Sequence, residues 1–184
     1  MLHVKDIAVD WVQVGTMLVV SQWLSGGGLS DSQWMQSSLF TILGFTAYHL
    51  STRNFLGVGL TGQTKMVADD WIKVGTMLVV SRLLGGGGLS DPTWLAASMA
   101  TLLGFTAYDI VTSKYVQGKD LTYNPKLQNL VNTWAKVGTM LVVSRLISCE
   151  SIFNPAWMMG SLGVLIGFTM YDVGTSHVID RIFA

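Results

Sequence analysis

Arg82 and Arg145 are the first residues that suggest chemistry. Each closes the apolar run Val-Gly-Thr-Met-Leu-Val-Val-Ser, and Gln22 fills the equivalent place after an earlier copy of that run. A charge at the end of such a run marks a functional site by default if the run lies in a bilayer. Two roles fit it. One is a contact along a pore. The other is an interfacial cation, bound to lipid phosphate or to Asp91 or Glu150, which a long side chain reaches by snorkelling. A second set pairs Gln13, Lys73 and Lys136 with His49, Asp109 and Asp172. Lysine stands where aspartate stands, and both are missing from the same copy. The expected interhelical pairs are therefore Lys73–Asp109 and Lys136–Asp172, structural in role and weak where water reaches them.

Other chemistry is not supported by spacing. Gly85–Gly88 is followed by Leu89, without the Lys-Ser/Thr of a phosphate loop. His3, His49 and His177 have no Cys, Asp or Glu at zinc-ligand spacing. No Ser/His/Asp set, no potassium-channel filter and no ladder of ionisable groups for a proton relay can be assembled. The expectation is a non-enzyme with no cofactor and no metal. Net charge is zero, so nucleic acid is not an expected partner. Cys149 is the single cysteine, which excludes an intrachain disulfide.

The elements that must position these residues repeat. The octapeptide occurs at Val14–Ser21, Val74–Ser81 and Val137–Ser144, and a Gly-Phe-Thr-x-Tyr signature follows at Gly44, Gly104 and Gly167. Self-similarity at a period of about 60 residues defines three tandem units, 1–60, 61–123 and 124–184, in one domain. Apolar residues make up 50% and charged residues 12%, and mean hydropathy is +0.47, which points to a bilayer as the solvent. Each unit reads as two helices. The first begins after Asp10, Asp70 or Thr133, taken as N-caps, and runs to Leu24, Leu84 or Ile147. The second begins at Asp31, Asp91 or Asn154 and runs to near Ser51, Thr112 or Thr175. Pro92 and Pro155 suit a first helical position. The fold class expected is an all-α membrane protein of six transmembrane helices, in three hairpins with pseudo-threefold symmetry.

Gly15, Gly75 and Gly138 on the first helices, and Gly44, Gly104 and Gly167 on the second, are expected to let helices pack closely. The neighbouring Thr and Ser are read as packing glue rather than a pore lining. The nine residues from Lys73 to Arg82 are too short to span a hydrocarbon core. That favours short first helices shielded around the axis, with second helices outside. Nine of the eleven cations lie at termini, connectors and first-helix starts, which places those on the cytosolic-equivalent side. Trp11, Trp71 and Trp134 would then mark the inner interface, and Trp34, Trp94 and Trp157 the outer one.

Val74-Gly-Thr-Met-Leu-Val-Val-Ser-Arg-Leu-Leu84 and Leu103-Gly-Phe-Thr-Ala-Tyr108 resemble segments of small multi-spanning virion membrane proteins of large icosahedral DNA viruses of algae and protists. The resemblance covers all three units. It implies residence in a virion internal membrane beneath a capsid, and it brings no catalytic residue. Mitochondrial carriers also hold three two-helix units, but no first helix here contains their proline motif. The leading expectation is a structural or assembly role, with the lipid bilayer, further copies of the chain, or capsid and scaffold proteins as partners. The alternative is a channel or small-solute transporter with its path along the pseudo-threefold axis.

Overall fold

The computed structural model describes residues 4–52, 59–116 and 125–183, and every extended element in it is helical. The first helices of the three units are α1 (Val4–Leu24), α3 (Gly62–Leu84) and α6 (Pro125–Ile147). The second helices are α2 (Ser32–Ala47), α4 (Pro92–Ala107) and α7 (Pro155–Met170). Each of these runs on into one wide π turn, at Tyr48–Thr52, Tyr108–Thr112 and Tyr171–Thr175. Short helices α5 (Ser113–Val116) and α8 (Ser176–Ile182) continue the second and third of them. Part of each connector, including Arg53, Asn54, Lys119, Asp120 and Asn124, lies outside the described residues.

The second helices start where the caps predict. Asp31 and Asp91 each accept from two backbone N–H groups of the first turn, the shorter at 2.8 and 2.9 Å, and Asn154 does the same at 3.0 Å. The first helices do not start at Asp10, Asp70 and Thr133. They begin well upstream, because nothing between Val4 and Asp10, or between Gly62 and Asp70, breaks a helix, and Pro125 suits a first helical position. The three residues are therefore interior to their helices, and Asp10 is buried.

The hairpin turns share one geometry. The N–H groups of Gly26, Gly86 and Cys149 bond back to Trp23, Leu83 and Leu146. Those of Gly27, Gly87 and Glu150 reach Gln22, Arg82 and Arg145. This paired pattern needs a left-handed residue just past the helix end. Gly26 and Gly86 supply it at φ 76° and 71°, and Cys149 must adopt it at φ 55°.

The six long helices close into a ring. The closest packing lies not within hairpins but between units: α2 on α3, α4 on α6, and α7 back on α1. Glycine makes these seams. A Cβ added at Gly44 would lie 2.7 Å from the Met77 carbonyl oxygen, and one at Gly104 2.7 Å from that of Met140. At Gly167 it would lie 2.5 Å from Met17 Cα, and at Gly163 2.9 Å from Ser21 Cα. The first-helix glycines differ: Gly75 and Gly138 have nothing within 4 Å, and Gly15 meets only a side-chain tip at 3.9 Å. Of the six glycines expected to be packing positions, only the three on second helices are. First helices alternate with second helices around the ring, and the inward faces of the first helices supply most of the lining at its centre. The reason is that the small faces lie on the second helices and point at the next unit.

Val14, Val74 and Val137, with Tyr48, Tyr108 and Tyr171, form much of the core. Large apolar side chains cover the outside, Trp23 at 68% exposure and Phe153 at 79% among them. Three stretches are long and apolar enough to cross a membrane: Val4–Leu24, Pro92–Val116 and Pro155–Thr175. α3 and α6 have the length but carry Asp69, Asp70, Lys73 and Arg82, or Lys136 and Arg145. α2 carries Gln33, Gln36, Ser37 and Ser38.

Candidate functional site: a charged cluster where all six helices meet

Asp10, Asp70 and Thr133 lie three residues before Gln13, Lys73 and Lys136. Three residues on a helix put both side chains on one face. In the ring that face points inward. The Lys73 ammonium donates to Asp10 Oδ1 at 3.1 Å, and Lys136 to Asp70 Oδ1 at 2.7 Å. Each lysine thus grips the aspartate of the preceding unit. The pairs expected from spacing, Lys73–Asp109 and Lys136–Asp172, do not form as salt bridges. A lysine of one unit faces the first helix of the unit before it, because the seams between units are the close ones. Each lysine also lies over aromatic rings of that preceding unit: Lys73 is 5.4 Å from Phe45, and Lys136 5.5 Å from Phe105.

Behind the aspartates stand the residues that follow the three tyrosines. His49 Nε2 meets Asp10 Oδ2 at 2.8 Å. Asp109 is fully buried, at 0% exposure, beside Asp70 and in the field of Lys136. Asp172 occupies the same position in the third unit, and its Oδ2 is buried without a hydrogen-bond donor among the described residues. The π turn widens the backbone here and frees carbonyls, which other groups satisfy. Ser113 Oγ donates to the Asp109 carbonyl at 2.6 Å, and the Gln63 amide donates to it at 3.3 Å.

These groups surround a cavity of about 220 Å³ to which all six long helices contribute. Asp10, Gln13, Asp70, Lys73, Thr133 and Lys136 line its polar part. Val14, Val74 and Val137, with Phe45, Phe105 and Phe168, line its apolar part. Two carboxylates and two ammoniums line the wall, and two more carboxyls and an imidazole stand behind it. The excess of carboxyls suits a small cation. Among the described residues no group of three His, Cys, Asp or Glu is placed to hold a metal ion.

A uniform scaffold surrounds the cluster. Trp11, Trp71 and Trp134 each donate the indole N–H to Thr46, Thr106 and Thr169 at 2.8 Å. Ser21, Ser81 and Ser144 donate to Leu18, Leu78 and Leu141 of their own helices. Those hydroxyl protons are spent within their own helices.

Arg82 and Arg145 lie at the opposite end, away from the cluster. Arg82 Nη2 donates to Asp91 Oδ2 at 2.6 Å, and its Nε to the Gly88 carbonyl at 3.3 Å. Arg145 pairs with Glu150 and donates Nε to the Ser151 carbonyl at 3.3 Å. Each guanidinium also stacks near a tryptophan, Trp94 at 5.9 Å and Trp157 at 5.7 Å. The arginines thus clip the hairpin turns, and the uncharged Gln22 does so with one bond to Gly28 at 3.3 Å. Asp91 serves three donors. The Trp94 and Thr93 N–H groups, and then the Arg82 guanidinium, hold its carboxyl below the ordinary carboxylate range.

The sequence held a signal for the central cluster that reading Asp10 and Asp70 as caps concealed: Asp, Asp and Thr recur at the repeat period, three residues before Gln, Lys and Lys. Comparison of the chain with protein-family models, with curated proteins and with solved structures found no match.

Proposed function

We propose that this protein is a multi-pass membrane protein whose ring of six helices carries a small cation, a proton or a hydrated monovalent ion, through its centre. One observation carries the reading. The three units share the residues of their seams and of the cavity's apolar wall; at the polar positions facing the cavity they differ. Val14, Val74 and Val137 match, as do the three Trp–Thr bonds, yet the inward positions read Asp/Asp/Thr, Gln/Lys/Lys and His/Asp/Asp. A ring built only to hold itself together gains nothing from unlike, buried charges at its centre, which are costly to desolvate. Ionisable groups in such a place are the ordinary mark of an ion path.

On this reading all six long helices of the ring cross the membrane together. The polar groups of α3 and α6 at the cluster face its centre and are matched by neighbours, while apolar side chains face outward, so the less apolar helices can cross alongside the other three. The excess of cations at termini and connectors supports a cytosolic-equivalent placement of the charged end. The Val and Phe side chains beyond the polar wall are suited to act as a hydrophobic constriction.

Reconstitution into liposomes with a pH-sensitive or a potassium-sensitive dye tests the proposal. The wild-type chain should dissipate an imposed cation gradient. Asp70→Asn should slow it by roughly tenfold, the effect of about 1.4 kcal/mol on a barrier. A wild-type chain that folds, inserts and passes no cation would leave the structural role, in a virion membrane or elsewhere, as the better account.

A further inference from the structure

The seam between α2 and α3 opens at its hairpin end into a cleft of about 430 Å³, far from the charged cluster. Its wall is polar: Gln33, Gln36 and Thr41 from α2, Ser81 and Arg82 from α3, and Trp94 from the start of α4. We propose that this cleft binds a phosphate group carrying hydroxyls, such as a polyol phosphate headgroup.

Donor counting supports the phosphate half. A guanidinium has five N–H donors. Arg82 uses one on the Gly88 carbonyl and one on Asp91, so both protons of Nη1 and one of Nη2 remain for a ligand. The Gln33 and Gln36 side-chain amides make no hydrogen bond among the described residues, and both line the cleft. Arg82 is held in place by its two bonds and by Trp94, so little rotamer freedom is lost on binding. The Asp91 carboxylate shares Arg82, which weakens the site's pull on a bare anion and favours a ligand with further polar groups.

Acceptor counting supports the hydroxyl half. Thr41 spends its proton on the Ser37 carbonyl at 3.0 Å, and Ser81 spends its own on Leu78 at 3.1 Å. Both hydroxyl oxygens therefore offer lone pairs to an incoming O–H. The repeat supplies an internal comparison. At the places of Gln36 and Ser37 the other units have Ala96 and Ala97, or Met159 and Gly160. Only the first seam is furnished in this way, though all three seams share the same glycine packing.

Native mass spectrometry of the full chain in detergent, delipidated and titrated with defined probes, tests the site. The probes are a short-chain phosphatidylglycerol, the matching diacylglycerol, and glycerol 3-phosphate. The phosphatidylglycerol should bind with one high-affinity stoichiometry. Gln33→Ala combined with Gln36→Ala should weaken it at least about tenfold, as expected for losing hydrogen bonds to a charged group. Gln36→Glu should abolish it by placing a carboxylate against the phosphate. Thr101→Val, at the second seam, should change nothing. The free side-chain amides are exposed, so melting temperatures should match the wild type and a folding defect would be visible as a shift. Competition by glycerol 3-phosphate would assign the site to any polyol phosphate, and its failure would assign it to a lipid headgroup. Diacylglycerol binding as tightly as the phospholipid, no phospholipid binding at all, or unchanged binding by the double variant would each overturn the proposal.

Discussion

Alanine at the ring's glycines should split by helix. At Gly44, Gly104 and Gly167 the added methyl would meet a backbone atom at 2.7, 2.7 and 2.5 Å. Backbone of a neighbouring helix cannot rotate aside as a side chain can. The two helices must part, and the contacts along the whole seam loosen with them. Overpacking of this kind costs about 1–3 kcal/mol. For a chain of this size that corresponds to a midpoint lowered by roughly 2–12 °C, at about 2–4 °C per kcal/mol. At Gly75 and Gly138 a methyl meets nothing within 4 Å, so the only sizeable effect is helix propensity. Alanine there gains up to ~1 kcal/mol over glycine in a helix interior. Thermal unfolding in one detergent, followed by circular dichroism, compares the five single variants. The second-helix series should melt low and the first-helix pair at or above wild type. Equal losses in both series, or no loss in the second-helix series, would refute the reasoning that glycine sets the seams between units.

Other substitutions probe the turns and the cluster. Cys149→Gly should raise stability by about 0.5–1 kcal/mol, since it removes a left-handed side-chain clash and gives back part of the gain as chain entropy; Gly86→Ala should lower stability in the same unfolding assay. Lys136→Met should cost about 1–3 kcal/mol, discounted because the lysine is partly exposed, by leaving Asp70 beside Asp109 without its cation. Adding Asp70→Asn should recover most of that loss, and a double-variant cycle measures the coupling. Asp91 bears on pH. Its carboxyl is held below the ordinary range, so its contribution is present above the unfolded pKa of about 3.9 and is lost as pH falls through the lower folded value. Asp91→Asn, which keeps a capping oxygen, should flatten the acid side of a stability-against-pH curve.

The repeat, the hairpins and the caps of the second helices were legible in the sequence because each is a local matter. Asp31, Asp91 and Asn154 satisfy N–H groups two and three residues away, and no distant residue is needed to predict that. The start of the first helices is hidden for the same local reason: aspartate before an apolar run is a good cap, and only the ring shows that Asp10 and Asp70 have partners inside it. The π turns left no spacing signal of their own.

By itself the sequence determined that three like units exist, which residues correspond between them, and that acids, lysines and a histidine replace one another at matched positions. It could not say which unit each residue faces, since a period relates equivalent positions and carries no information on adjacency. Tertiary structure decided that. The small face of every second helix packs on the first helix of the next unit, and α7 closes on α1. Lys73 therefore reaches Asp10 and Lys136 reaches Asp70, and the differing residues converge on one cavity. Closure of the ring is a property of all six helices at once, so no stretch of the chain contains it.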